Sequence, residues 1–261
     1  MGFFFVYQLF ISLKASTGNI IGAGPYSEGM NKATDGGHNK KYRWRGMAVK
    51  KLSSEFLGTA LLVCIVVGSG IMATNLSQDI GVQLLINAVS TVFGLMVLIQ
   101  ILAPISGAHF NPVVTLIELI QRKTTLSTFI QFTAVQIAGA ITGAVLANAM
   151  FEHALIETST KMRSGTNLYL GEIIATAGLI LIINLLIAQE KTTLIPAMVA
   201  SWIGSAYFFT SSTSFANPAV TVGRLFSDSF AGIAPGSVLP FILAQLVGSI
   251  VGFGVFKGLT R

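Results

Sequence analysis

Six long apolar segments alternate with short polar segments along the chain. They lie at about residues 52–75, 80–103, 126–149, 168–188, 194–212 and 237–257. A helix that crosses a bilayer needs roughly 20 mostly apolar residues, so each segment is long enough to span a membrane. The hydrophobic pattern therefore predicts an all-α membrane protein with six transmembrane helices.

Two further apolar segments, near residues 109–119 and 215–226, are too short to cross a bilayer. They open with Asn111-Pro112 and Asn217-Pro218. Proline suits the first turn of a helix, and asparagine just before it is a strong N-cap. Short segments of this kind at matching places in two halves indicate discontinuous helices at a binding or conduction site. We therefore expect two re-entrant half-helices.

The two halves of the chain repeat three landmarks in the same order. The pairs are Glu55 to Thr59 with Glu172 to Thr176, Asn111-Pro112-Val113 with Asn217-Pro218-Ala219, and Gln136 to Gly143 with Gln245 to Gly252. Each repeat, at about 52–150 and 168–258, holds three spans, so the second copy must run through the membrane in the opposite sense. This organisation predicts an inverted repeat.

Composition agrees with a membrane protein, because only 10% of the residues are charged and 52% are hydrophobic. The formal net charge of +6 does not indicate nucleic-acid binding, since the basic residues lie sparsely between apolar runs. Eleven of them fall on one side of the predicted topology and only three on the other. The excess of positive charge predicts that both termini of this multi-pass membrane protein are cytoplasmic.

Residues 1–46 differ from the rest of the chain. The first 13 residues are apolar but too short to span, and the following stretch to Gly37 is polar and rich in Gly, Ser and Asn. We expect residues 1–46 to be a poorly ordered extension, either an overlong start that precedes Met47 or an interfacial anchor. Residues 47–261 then form the channel-like domain.

The two Asn-Pro segments predict a specific chemistry. In an inverted repeat their helix N-termini face each other near the midplane, and each carries about half a positive charge. The irregular backbone before them, which includes Gly107, Ala108, His109, Phe215 and Ala216, is tolerated at membrane depth only where it lines a cavity. We therefore expect a narrow polar pore that passes neutral hydrogen-bonding molecules and resists cations. No metal-ligating, nucleophilic or cofactor motif is visible, so no enzyme is predicted.

The segments Ser-Gly-Ala-His-Phe-Asn-Pro-Val-Val-Thr (106–115) and Ser-Phe-Ala-Asn-Pro-Ala-Val (214–220) resemble those of the aquaporin, or major intrinsic protein, family. The resemblance covers about residues 50–258. It implies six spans and two half-helices per protomer, one pore in each protomer, and a homotetramer in the lipid bilayer. It also implies that Glu55 and Glu172 brace the two pore loops rather than act in catalysis.

The family resemblance also places a four-residue selectivity filter, by counting from the two motifs, at Thr91, Ser205, Ser214 and Val220. Phe93 lies near Thr91, and Gly204 takes the place of Ser205 if the register slips by one residue. An arginine is usual at the position that Val220 occupies here. Small side chains at the other three positions would leave a wide, neutral constriction. Arg224, one helical turn beyond Val220, either supplies charge in the outer vestibule or snorkels to the aqueous surface.

These features predict a passive, cofactor-free channel for water and small uncharged solutes such as glycerol, urea and neutral metalloid hydroxides. The region from Thr210 to Val222 is similar to a bacterial aquaglyceroporin-like branch, some of which is associated with arsenite. One alternative is a channel that conducts mainly water. A secondary active transporter is the other, because inverted repeats and broken helices also serve transporters.

Overall fold

The computed structural model describes residues 38–260, which form eight α-helices and one short 3-10 helix. The helices are α1 (His38–Leu76), α2 (Ile80–Ser106), α3 (Pro112–Ile120), α4 (Leu126–Met150), α5 (Thr166–Ala188), α6 (Ile195–Phe209), α7 (Pro218–Arg224) and α8 (Pro235–Leu259), with the 3-10 helix at Thr192–Leu194. The prediction of an all-α membrane protein is confirmed.

Six helices are long and apolar enough to cross a membrane, namely α1 from Ala48, α2, α4, α5, α6 with the 3-10 turn before it, and α8. Their outward faces carry large exposed hydrophobic side chains, for example Phe93, Leu239 and Ile130, each more than half exposed. A soluble protein does not present so much apolar surface, and in a bilayer these faces contact lipid. The six spans and their bounds agree with the hydrophobic pattern to within a few residues.

The first helix begins earlier than the sequence pattern predicts, at His38 rather than near residue 52. The added turns contain several lysines and arginines, which have good helix propensity but do not belong in lipid. Hydropathy therefore detects only the membrane-embedded part of this helix. Residues 1–37 of the expected N-terminal extension lie outside the described residues.

The two half-helices are α3 and α7, and both begin at the proline of an Asn-Pro pair. The Asn111 side chain accepts a hydrogen bond from the backbone N–H of Val113 at 3.1 Å. The Asn217 side chain accepts from the N–H groups of Ala219 and Val220 at 2.9 and 3.3 Å. The predicted N-caps are confirmed, and so are the residues at which the two half-helices begin.

Glycines of the repeated motif allow the backbones of neighbouring spans to pack directly against each other. A Cβ atom on Gly143 in α4 would lie 2.2 Å from the carbonyl oxygen of Ala60 in α1. A Cβ atom on Gly252 in α8 would lie 2.2 Å from the carbonyl oxygen of Ala177 in α5. The same close approach thus occurs once in each repeat, as small-residue packing in membranes requires.

Candidate functional site

The two loops that precede α3 and α7 meet beside a cavity of about 440 Å³. Thr192, before α6, and Tyr207, in the last turn of α6, both line it, so the cavity extends along the whole helix. Its wall also contains the predicted pore-loop residues, namely Gly107, Ala108, His109, Asn111, Ser214, Phe215, Ala216 and Asn217. The structure therefore brings together both halves of the predicted pore.

The two asparagines tie the half-helices to each other. The Asn111 amide nitrogen donates to the carbonyl oxygen of Ala216 at 2.8 Å, and that of Asn217 donates to the carbonyl oxygen of Phe110 at 2.7 Å. An asparagine amide has two N–H donors, and only one of each pair is used in this way. Both residues line the cavity, so each has one donor left for a solute oxygen.

The loop backbones are strained in the same way in both repeats. Ala108 and Ser214 have φ angles of +50° and +51°, and Phe110 and Ala216 have +50° and +48°. These residues are not glycines, and the left-handed region is unfavourable for them by roughly 1 kcal/mol or more each. Such a conformation persists only where its surroundings hold it, and in both loops a buried carboxylate does so.

In the first repeat the carboxylate is that of Glu55, which is fully buried in α1. One oxygen accepts from the Ser106 hydroxyl at 2.6 Å and the His109 N–H at 3.0 Å. The other accepts from the Phe110 N–H at 2.7 Å and the Gln136 amide at 2.9 Å. Four donors thus bind one buried carboxylate, as expected for a side chain that holds the first pore loop in place.

The second repeat has the equivalent arrangement around Glu172, fully buried in α5. Its oxygens accept from the N–H groups of Phe215 and Ala216, both at 2.9 Å, and from the Gln245 amide at 2.7 Å. Gln136 and Gln245 were landmarks of the sequence repeat, but their contact with the carboxylates was not predicted. Neither carboxylate lines the cavity.

The structure contradicts the sequence prediction for Ser205. This residue is exposed, and its hydroxyl donates to the carbonyl oxygen of Trp202 at 2.9 Å. The cavity is lined instead by Val199, Ile203 and Tyr207, which recur every four residues on one face of α6. Counting 12 residues back from Asn217 assumed a fixed loop length, and this assumption selected the opposite face of the helix.

Tyr207 joins the predicted filter residues Thr91, Ser214 and Val220 on the cavity wall. The Thr91 hydroxyl donates to the carbonyl oxygen of Asn87 at 2.8 Å, so it accepts from the Tyr207 hydroxyl at 3.1 Å. The Ser214 hydroxyl is buried and has no hydrogen-bond partner within residues 38–260. A buried hydroxyl without a partner is costly, and Ser214 is therefore an unfavourable element of this loop.

Arg224 is 2% exposed, which is incompatible with snorkelling to the aqueous surface. It lines the cavity, and its Nε donates to the carbonyl oxygen of Ala231. Its guanidinium lies 3.3 Å from the centre of the Phe215 ring. Arg224 therefore lies on the cavity wall rather than at the aqueous surface.

His109 also lines the cavity, together with Glu118, a residue that the sequence analysis did not single out. The Nδ1 atom of His109 is 3.0 Å from the Thr115 hydroxyl, and its Nε2 atom is 3.4 Å from Glu118. A charged residue in an otherwise apolar half-helix was the signal that could have identified it. Within residues 38–260 no cluster of three or more His, Cys, Asp or Glu side chains is placed to hold a metal.

Comparisons with known proteins agree with this architecture. The model of the major intrinsic protein family matches residues 43–215. The chain is 40% identical over 212 residues to aquaglyceroporin AqpS of Rhizobium meliloti (81% of this chain, 91% of the relative) and 31% identical to aquaporin Z of Brucella melitensis (81% and 98%). An aquaglyceroporin crystal structure from Plasmodium falciparum, 23% identical, superposes with a TM-score of 0.57 over 81% of this chain and 95% of that one. The chain is therefore an integral, multi-pass membrane protein that belongs to the major intrinsic protein family.

Proposed function

We propose that this protein is a passive channel for water and small uncharged solutes. The observation that carries the proposal is the pair of asparagine-capped helix N-termini that meet on the cavity wall. Each N-terminus contributes about half a positive charge, which repels a cation that has lost its water. Each asparagine offers one amide N–H to a solute oxygen. A neutral hydrogen-bonding molecule is favoured at such a site.

The solutes that we propose are water, glycerol, urea and neutral metalloid hydroxides such as that of arsenite. Val220 supports this range, because a valine leaves room that a guanidinium would fill and removes its five donors. The name of the Rhizobium relative, an aquaglyceroporin, points in the same direction. We propose that Thr91, Tyr207, Ser214 and Val220 form the constriction, with Tyr207 in the place first expected for Ser205.

Light scattering on vesicles that contain the purified protein tests the solute range. We expect rapid water flux together with flux of glycerol, urea and arsenite. Val220→Arg should reduce glycerol flux more than water flux, because it adds both bulk and charge to the constriction. Val220→Met adds bulk without charge and is the matched control. If the wild-type channel passes water but none of the larger solutes, the proposed range is wrong.

A channel that conducts mainly water is the second candidate, and Tyr207 is the observation that favours it. A phenol ring on the cavity wall narrows a constriction that the sequence predicted to be lined by small side chains. Tyr207→Ala separates the two candidates. In a mainly water-conducting channel the substitution creates glycerol flux, whereas in a glycerol channel it changes an existing flux only modestly.

A secondary transporter is the remaining alternative, and it requires a coupling site. The two fully buried carboxylates of the spans, Glu55 and Glu172, are bound to loop backbone rather than to the cavity. Vesicles with an imposed proton or sodium gradient test this alternative directly. Accumulation of glycerol against its own gradient would reject the proposal that the protein is a passive channel.

We further propose the setting of the channel in the cell and its assembly. Residues 47–261 form the channel domain, which resides in a bacterial inner membrane with both termini cytoplasmic, as the distribution of basic residues favours. The protein assembles as a homotetramer, as the family resemblance implies. Size-exclusion chromatography with light scattering tests the tetramer, and protease access to terminal tags in oriented vesicles tests the topology.

A further inference from the structure

Three cationic side chains converge on one short loop at the end of the cavity where α7 ends. Lys161 Nζ donates to the carbonyl oxygen of residue 230 at 2.7 Å. Arg224 Nε donates to the carbonyl oxygen of residue 231, and Arg163 Nε to that of residue 232 at 2.8 Å. Three consecutive carbonyl groups thus hold three positive charges close together.

Within the described part of the chain, residues 38–260, no carboxylate forms an ion pair with this cluster of Lys161, Arg163 and Arg224. Both ion pairs found within residues 38–260 involve histidines. Two acidic groups of the same region have other partners, since Glu172 binds the pore-loop backbone and Asp228 accepts from the Thr160 N–H at 2.9 Å. The three cations therefore leave a net positive charge at this loop, without a carboxylate in direct contact within residues 38–260.

Arg224 is the member of this cluster that reaches the pore. It lines the cavity, and Phe215 holds its guanidinium from one side at 3.3 Å. A guanidinium has five N–H donors, and the single hydrogen bond to Ala231 leaves four without a partner among the described residues. Arg163 lies behind Phe215, 4.9 Å from the centre of its ring, and is not part of the cavity wall.

The position of Arg224 follows from helix geometry. It comes four residues after Val220 in α7, so it lies on nearly the same face about 6 Å further along the axis. It also stands in the last turn of the half-helix, where a cation interacts favourably with the negative end of the helix dipole. A positive charge is therefore retained on the Val220 side of the pore but displaced outward by one turn.

We propose that Arg224, supported by Lys161 and Arg163, forms a second positive barrier at the outer mouth of this channel, in addition to the paired helix N-termini, and that this barrier excludes protons and metal cations. The inference rests on the proposed channel function and adds the residue that determines its charge selectivity. Val220 then sets the width of the constriction while Arg224 sets its charge. The two properties are carried by different residues, one helical turn apart.

The test uses vesicles that contain the full-length protein and a pH-sensitive dye, with glycerol flux measured on the same preparation. Arg224→Gln keeps a donor for the Ala231 carbonyl but loses the charge, and we expect its proton leak to rise at least about tenfold while glycerol flux continues. Arg224→Lys keeps the charge, and we expect its leak to stay at the wild-type level. A purely structural role for Arg224 would instead make both variants behave alike.

The control is Lys191→Gln, which removes an exposed cation from the loop at the other end of α6 and should leave the leak unchanged. Val220→Arg combined with Arg224→Gln moves the positive charge by one helical turn and should restore the exclusion of protons. If Arg224→Gln conducts glycerol with the leak of the wild type, the proposal is overturned. If Arg224→Gln does not fold, a raised leak in Arg224→Lys overturns it and a wild-type leak supports it. Absence of glycerol flux in the wild type rejects the proposed function instead.

Discussion

The brace formed by Glu172 gives a sharp prediction, because Glu172→Gln changes a single oxygen into an amide nitrogen. The carboxylate accepts three hydrogen bonds, from the N–H groups of Phe215 and Ala216 and from the Gln245 amide. A glutamine has one acceptor oxygen, so it cannot satisfy donors on both sides. The strained second pore loop then loses part of the hydrogen bonding that stabilises its conformation.

The magnitude follows from the hydrogen-bond geometry. In its better orientation the amide oxygen keeps Ala216 and Gln245, and the buried Phe215 N–H is left without an acceptor, which costs roughly 1–3 kcal/mol. The two retained bonds lose their charge assistance, which weakens each by about 1 kcal/mol. The free energy of unfolding should therefore fall by roughly 3–5 kcal/mol, a large part of the stability of an ordinary protein.

Thermal unfolding of the detergent-solubilised protein, followed by circular dichroism, measures this effect. We expect the midpoint of Glu172→Gln to fall by on the order of 10 °C. Glu190→Gln makes the same chemical change at an exposed loop position and should move the midpoint by little. Equal midpoints for the two variants would mean that the carboxylate does not stabilise the loop.

Three further predictions concern packing, the asparagines and the outer cations. Gly143→Ala should lower the free energy of unfolding by roughly 1–3 kcal/mol. Gly254→Ala should not, because the added Cβ has no neighbour within 4 Å among residues 38–260, and thermal unfolding compares the two variants. Asn217→Asp keeps the helix cap but replaces the donor to Phe110 with a negative charge, so glycerol flux should fall and cation leak rise in vesicle assays. Burial, and then the charges of Arg163 and Arg224, lower the pKa of Lys161 to about 8, and a lysine is neutral above its pKa. Raising the external pH from 7 to 9 should therefore increase potassium leak, and Lys161→Arg should remove this dependence.

Periodicity and the Asn-Pro motifs were sufficient to predict the architecture. Span length is fixed by bilayer thickness, and the caps at Asn111 and Asn217 depend on local backbone chemistry alone. Both constraints act within one continuous segment of the chain. The six spans, the two half-helices and the inverted repeat were therefore correct without any knowledge of tertiary contacts.

The residues of the proposed constriction were harder to predict because they come from distant segments of the chain. Thr91, Ser214 and Val220 do line the cavity, but Ser205 does not and Tyr207 was missed. An error of two residues in loop length rotates a helix position by about 200°, which exchanges the pore face for the opposite face. The spacing of Val199, Ile203 and Tyr207 contained the correct face, but it does not by itself identify which apolar stripe meets water.

The inverted repeat also explains why the two ends of the cavity differ in charge. Glu118 and Arg224 each stand seven residues after the asparagine of their motif, so they are equivalent positions of the two repeats. Each contacts the equivalent loop residue, since Glu118 is 3.4 Å from His109 and Arg224 is 3.3 Å from the centre of the Phe215 ring.

Both charged residues lie near the C-terminal end of a half-helix, where the dipole favours a cation and disfavours an anion. The dipole of α7 therefore favours Arg224, whereas that of α3 disfavours Glu118, whose carboxylate contacts His109 Nε2 at 3.4 Å. One repeated scaffold thus places a cation at one of the two equivalent positions and an anion at the other, and Lys123 on the same cavity wall partly offsets the anion. Because the two half-helices are equivalent, the difference in charge between these positions comes from the side chains and not from the backbone.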